Sequence, residues 1–205
     1  MSEHYYSERP TTRSEPRLFH CRVRSVDLEL LSDAGVFSKT GLDFGTRLLI
    51  ETAELPDDGL VVDLGCGYGA VGATLARVYP HTRWLLLDIN SRAVDLAVEN
   101  TTALGERVRV AQSDGLTALG NERPDAILLN PPIRAGKSVV YRMFDEASVK
   151  LVPGGVLWVV IHKKHGADSA RKFLDTRFAQ VENVERKSGY QVFRCLTLTG
   201  VNFHY

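Results

Sequence analysis

The stretch "VVDLGCGYGAVG", residues 61–72, decides the fold. Two valines, an aspartate and a leucine read as a buried strand, and glycines 65, 67 and 69 then lead into "AVGATLARVY", a run with helical spacing. Glycines at such a junction let the backbone pass close to a ligand with no Cβ atoms in the way. The rival reading is the dinucleotide fingerprint G-x-G-x-x-G, which fits only in the register of Gly67, Gly69 and Gly72. The acid separates the two. Asp63, at the strand end, stands where a pyrophosphate would lie, and a carboxylate there repels phosphate but holds an ammonium group.

Outward from this loop, strands alternate with helices. Upstream, "FHCRVRSVDLELLSDAGVFS" alternates apolar and polar residues and breaks at Asp33-Ala34-Gly35, the pattern of a β-hairpin, and "DFGTRLLIETAEL" has helical spacing. Downstream come "RWLLLDI" (strand), "SRAVDLAVENTTAL" (helix, with Ser91 as its N-cap), "RVRVAQ" and "DAILLN" (strands). "VVYRMFDEASVKLV" (helix), "GVLWVVI" (strand) and "GADSARKFLDTRF" (helix) follow, and "AQVENVERKSGYQVFRCLTLT" reads as two strands around Lys187-Ser188-Gly189. The alternation implies an α/β fold, a mostly parallel sheet with helices on both faces. Residues 1–16, rich in Ser, Thr, Arg and Pro, are expected to form a flexible N-terminal arm, and residues 17–205 a single domain of a size that supports one core.

The apolar share of 44% and charged share of 24% are those of an ordinary soluble protein, and zero net charge means that a polyanionic partner would need a local basic face. Cys21, Cys66 and Cys195 have no metal-type spacing and read as free thiols of a reducing compartment. The longest apolar run, "VLWVVI", is too short to cross a bilayer, and the first residues lack a signal-peptide core, so a cytoplasmic protein is expected, with no membrane partner. His162 and His165 lack a third ligand nearby, and no metal site is expected. Nothing in the sequence sets an oligomeric state.

Two further acids follow strands. Asp88 ends "LLLDIN", where α/β folds commonly carry an acid for the ribose hydroxyls of an adenosine; the alternative is a turn acid before the next helix. Asp114, in "QSDGL" beside Ser113, follows the third strand and is a candidate acceptor for an adenine amine, or again a turn aspartate. "AILLNPPIRAGK", residues 126–137, ends the fourth strand on an asparagine and two prolines, which gives up two backbone donors and fixes two φ angles.

Together these residues resemble the class I S-adenosylmethionine-dependent methyltransferases, over nearly the whole chain from about Leu18. The resemblance implies a Rossmann-like, seven-stranded sheet whose last strand, "YQVFRCLTLT", runs antiparallel, preceded by the N-terminal hairpin. It implies S-adenosylmethionine as cofactor, held by Asp63, Gly65, Gly67, Gly69, Asp88, Ile89, Asp114 and Asn130. In that superfamily Asn-Pro-Pro after the fourth strand marks methylation of a planar nitrogen, which implies catalytic roles for Asn130, Pro131 and Pro132. If the Asn130 side-chain oxygen and the Pro131 carbonyl accept the two hydrogens of an amine, its lone pair is aimed at the sulfonium methyl.

"GVFSK", "NPPIRAGK" and "VIHKKHGA" are similar to the small-subunit ribosomal RNA guanine exocyclic-amine methyltransferases in single-domain form. The partner so implied is RNA, ribosomal RNA or a ribosomal subunit. Longer members carry a second, degenerate domain that this chain has no room for, and Ile133 replaces an aromatic that stacks on the target base in many amine methyltransferases. Phe37, Tyr141 and Phe44 are the candidate substitutes, each equally readable as core. With Phe37 and Ile133, the expected substrate-binding residues are Arg134, Lys137, Lys163 and Lys164, in a basic rim that includes His162 and His165. Arg9, Arg13, Arg17, Arg22 and Arg24 are either a further phosphate-facing cluster or solvated charges. Methylation of a protein glutamine or a small molecule, and a non-catalytic cofactor-binding RNA module, remain as alternatives.

Overall fold

The computed structural model describes residues 13–36 and 41–199. Strands β1 (Arg17–Val23) and β2 (Val26–Ser32) pair antiparallel as a two-stranded sheet. There follow α1 (Phe44–Thr52), β3 (Asp58–Leu64), α2 (Ala70–Val78), β4 (His81–Asp88), α3 (Ser91–Thr101) and β5 (Val108–Gln112). The chain continues through β6 (Ala126–Leu129), α4 (Lys137–Lys150), β7 (Val156–His162), α5 (Ala167–Leu174), β8 (Gln180–Lys187) and β9 (Tyr190–Leu196). The second sheet has seven strands in the order β5-β4-β3-β6-β7-β9-β8, and β9 runs antiparallel to both neighbours. The expected Rossmann-like fold, its antiparallel last strand and its leading hairpin are therefore present.

Period two explains how one sheet serves two cores. Val61, Trp84, Leu86, Leu128 and Trp158 point to one face and pack with residues of α1, α2, α3 and the hairpin. Val62, Leu85, Leu87, Ile127 and Leu157 point to the other and pack under α4 and α5. Because β4 lies on one side of β3 and β6 on the other, the chain changes winding direction at β3, and the crevice at the carboxyl ends of these strands is where such folds bind ligands.

Two local expectations are corrected. The hairpin reverses at Arg24-Ser25, not at Asp33-Ala34-Gly35, which only ends β2. Both turn residues have positive φ (50° and 63°), as a two-residue turn matching the strand twist requires, and the Arg24 guanidinium is anchored on the Ile50 and Ala53 carbonyls at the end of α1. The N-cap of α3 is Asn90, not Ser91: the Asn90 oxygen accepts from the Arg92 and Ala93 amides at 3.0 and 3.4 Å, and its nitrogen donates to the Gly35 carbonyl at 3.0 Å. In the expected arm, Ser14 and Glu15 bond to the Asp33 carboxylate, while residues 1–12 lie outside the described residues.

Asn90 is 1% exposed and satisfies two elements at once. Asn90→Ala is expected to lower unfolding free energy by roughly 1–3 kcal/mol in urea titration, whereas Ser91→Ala should change it by less than about 0.5 kcal/mol.

Candidate active site

A cleft of about 740 Å³ opens at the carboxyl ends of β3, β4 and β6. Asp63, the penultimate residue of β3, lines it and is 3% exposed. The Gly72 amide, in the first turn of α2, hydrogen-bonds the carboxylate, while Oδ2 is buried with no partner among the described residues. Burial pushes this carboxyl up to about 7; the Gly72 bond opposes the rise and the Asp88 charge adds to it. A buried oxygen left unsatisfied at a cleft wall fits a cationic ligand group.

Gly65 and Gly67 line the same wall at φ 71° and 56°, and a Cβ on either would project into open space. Gly69 is different. It caps α2 at φ 85° with Ala97 of α3 only 3.1 Å from where a Cβ would stand, so it serves close packing and is not part of the wall. The Asp88 carboxylate accepts from the Gly67 amide at 2.8 Å and the Asn90 amide at 2.9 Å, and burial raises its pKa against the pull of these bonds. Ile89, Ser113 and Gly115 continue the wall. Asp114 turns away from it: its exposed carboxylate pairs with Arg142 across two oxygens, one contact at 3.1 Å, leaving Ser113 and Gly115 to face the cleft.

Asn130, Pro131, Pro132, Ile133 and Arg134 line the other side. The Asn130 amide nitrogen donates to Thr46 Oγ1 at 2.9 Å and to Asp43 Oδ2 at 3.3 Å. Asp43 is the N-cap of α1, accepting from the Thr46 amide at 3.0 Å. Since a carboxylate only accepts, the amide nitrogen must face Asp43, and its oxygen is left for the cleft. The Pro131 carbonyl already accepts from the Ile133 amide at 2.9 Å, so one lone pair remains for a substrate hydrogen.

At the mouth, Arg134 is joined by His162 and His165 from the end of β7 and the turn after it, and by Tyr190 at the start of β9. Lys163 and Lys164 occupy that exposed turn, and Lys137 opens α4 with its ammonium 4.9 Å from the Tyr141 ring centre. Arg134, Lys137, Lys163 and Lys164 form no ion pair among the described residues. Of the amino-terminal arginines, Arg24 holds α1, Arg17 and Arg22 are exposed beside Glu15 and Asp27 at 3.9 and 3.7 Å, and Arg9 lies outside the described residues. Of the expected aromatics, Phe37 lies outside the described residues, Phe44 packs behind Tyr190, and Tyr141 stacks on Phe173 at 4.2 Å, away from the cleft wall. Asp43, Thr46 and Tyr190 are the site residues that sequence reasoning missed. A helix N-cap signal at Asp43 was legible, but not its contact with a residue 87 positions away.

A family model described as the methyltransferase small domain matches residues 27–194. The chain belongs to the methyltransferase small domain family. Its methyl donor is S-adenosylmethionine, and the unpartnered Asp63 oxygen beside the side-chain-free backbone of Gly65 and Gly67 fits the ammonium and carboxylate end of that molecule. The chain is 43% identical over 197 residues to "Uncharacterized protein YbxB" of Bacillus subtilis (strain 168), covering 95% of this chain and 98% of that one. It is 38% identical over 173 residues to the ribosomal RNA large subunit methyltransferase G of Pseudomonas putida (strain W619), covering 80% of this chain and 46% of the relative. It thus spans about half the length of the ribosomal RNA methyltransferases it matches. In fold, it is similar to the T. thermophilus 16S rRNA N2 G1207 methyltransferase (RsmC) in complex with AdoMet and guanosine, with a TM-score of 0.78 at 24% identity over 92% of this chain and 52% of that one.

The raised Asp63 pKa has two consequences of opposite sign. The folded chain holds a proton that the unfolded chain has released, so this stability is present below the ordinary carboxyl value of about 4 and is lost as pH rises through about 7. Binding an ammonium needs the ionised form. Between about pH 4 and 7, the ligand-free protein should lose stability relative to Asp63→Asn, while its affinity for S-adenosylhomocysteine should rise and then level off above about pH 7. Thermal denaturation and calorimetry across that window check both, with affinity in Asp63→Asn expected to be weak and flat.

Proposed function

We propose that this methyltransferase transfers the methyl group of S-adenosylmethionine to the exocyclic amine of guanine in ribosomal RNA, in the cytoplasm. The observation that carries the reading is the turned amide of Asn130, whose oxygen is presented to the cleft because Asp43 and Thr46 hold its nitrogen. An amine conjugated to a ring is a weak nucleophile. An acceptor that is fixed in advance can take its hydrogens and aim its lone pair without a strong base, and no reorganisation is spent at the moment of reaction.

The bound cofactor supplies an electrophilic sulfonium methyl. Asp63 receives its ammonium, Gly65 and Gly67 admit its carboxylate, Asp88 takes ribose hydroxyls on lone pairs not used by the Gly67 and Asn90 amides, and Ile89, Ser113 and Gly115 border the adenine. Asn130 and the second lone pair of the Pro131 carbonyl receive the amine hydrogens, while the buried prolines keep that carbonyl fixed and dry.

Arg134 at the mouth, with Lys163 and Lys164 on the exposed turn after β7, favours RNA over a glutamine side chain or a small molecule, neither of which needs such cations around it. Ribosomal RNA is also what the Pseudomonas relatives are named for, and guanosine is the ligand of the T. thermophilus structure. The deciding experiment is mass mapping of methylated nucleosides in both ribosomal subunits from cells with and without the gene. Loss of one N2-methylguanosine supports the reading; unchanged ribosomal RNA overturns it.

Asn130→Ala should bind S-adenosylhomocysteine normally and lower single-turnover methyl transfer by about a hundredfold to a thousandfold. Thr46→Val, which removes one partner of the amide, should slow transfer roughly five- to thirtyfold with cofactor affinity unchanged, and Thr46→Ser should restore it.

A further inference from the structure

A base taken out of an RNA helix loses its stacking partners, and an enzyme that binds it replaces them with flat side chains. Ile133 has no such face. Two tyrosines line the cleft among the described residues. Tyr68 is buried in the glycine loop, edge-on to Phe19 at 5.8 Å. Tyr190 is half-buried at the mouth, where β9 begins.

Tyr190 is held from three sides. Its Cε1 lies 2.8 Å from where a Cβ of Gly45 would stand, so the ring rests on bare backbone in the first turn of α1. Phe44 backs it at 5.5 Å between ring centres, tilted by 38°. His162 meets it edge-on at 4.7 Å and 88°, and is itself fixed by the Lys164 amide, which donates to Nδ1 at 3.1 Å. The hairpin tip that carries Tyr190 is docked as well: the Lys163 amide donates to the Gly189 carbonyl at 2.7 Å, and Gly189, at φ 82°, leaves room for the His162 ring that any Cβ would strike. The ring is therefore ordered before any ligand arrives, and stacking on it costs little side-chain entropy.

Its place relative to the chemistry follows from Asp43. That carboxylate is 3.3 Å from the Asn130 amide nitrogen, and its charge also bears on the Tyr190 hydroxyl. Tyr190 and Asn130 thus flank one N-cap, with Arg134 lining the same opening.

We propose that Tyr190, buttressed by Phe44 and His162, is the face on which the target purine base stacks, a base-binding subsite that compensates for the aliphatic residue at Ile133. The subsite rests on the nucleobase reading given above. It assigns specificity for a planar acceptor to the terminal hairpin, and it requires the ring of Tyr190 rather than its hydroxyl.

Guanosine is the probe, titrated by NMR into the whole chain saturated with S-adenosylhomocysteine, with N-acetylglutamine amide as the comparison ligand. Saturable guanosine binding is expected, about ten- to a hundredfold weaker in Tyr190→Ala and in Tyr190→Leu, which keeps apolar bulk against Gly45. Tyr190→Phe should bind like the wild type, and S-adenosylhomocysteine affinity should be equal in all four proteins. Undiminished binding by Tyr190→Leu overturns the subsite, as does equal loss in Tyr190→Phe, or binding of the glutamine amide in place of guanosine. The two readings fail separately. If removing the gene erases a methylguanosine but Tyr190→Leu binds guanosine normally, only the subsite falls; if no ribosomal nucleoside changes, the reading beneath it falls.

Discussion

One carboxylate oxygen orders the side of the cleft that Asn130 lines. Asp43 Oδ2 accepts from the Thr46 amide at 3.0 Å, the Thr46 hydroxyl at 3.4 Å and the Asn130 amide at 3.3 Å. The first bond starts α1; the last ties that helix to the end of β6. An asparagine amide presents a donor and an acceptor that a half-turn exchanges, so Asn130 is useful to an amine only while something distinguishes its two ends. Asp43 does so because it can only accept. The requirement explains why the helix that begins here is anchored so well elsewhere: Leu49 and Ile50 are fully buried, and its final carbonyls are held by Arg24 of the hairpin.

The donor side depends on the opposite device, a bond left unmade. Nearly every buried polar group is satisfied in a folded protein, and one that is not costs free energy until a ligand completes it. Asp63 Oδ2 is such a group, set beside a second acid, the half-buried Asp88, each of whose oxygens accepts a backbone amide. Loss of hydration, with a smaller contribution from the Asp88 charge, pushes the Asp63 carboxyl up to about 7. A ligand cation bound there would favour the ionised form of Asp63 and so displace its proton.

The parts of the fold legible in the sequence are those set by local patterning. The strands around "VVDLG", "LLLD" and "AILLN" were readable because each is a continuous apolar run that ends on a functional polar residue. The parts that were not depend on contacts between distant residues or on unusual backbone. Arg24-Ser25 has none of the Gly or Asn that signals a two-residue turn, and its left-handed backbone is held by an arginine contact with another helix. Asn90 and Ser91 are both good caps, and what selects Asn90 is the carbonyl of Gly35, 55 residues earlier. Asp114 was legible as a strand-end acid, but its engagement by Arg142, 28 residues on, was not. Tyr190 looked like one more residue of a terminal strand, because nothing local shows that β9 enters the sheet beside β7 and runs against it.

That reversed strand divides responsibility along the chain. A parallel strand delivers its carboxyl end to the binding edge, but an antiparallel one delivers its first residue, so the tip of the last hairpin arrives at the cleft that Asn130 lines although it lies 60 residues downstream. The cleft wall around Asp63 and Asp88 comes from β3 through β5, and the wall that carries Asn130 and Tyr190 from β6 through β9. A hairpin tip tolerates replacement better than a buried strand does. On the reading proposed above, substitutions at this hairpin tip would alter which methyl acceptor is preferred while the residues around Asp63 and Asp88 stayed constant, a modular route by which one scaffold diversifies into a set of modification enzymes.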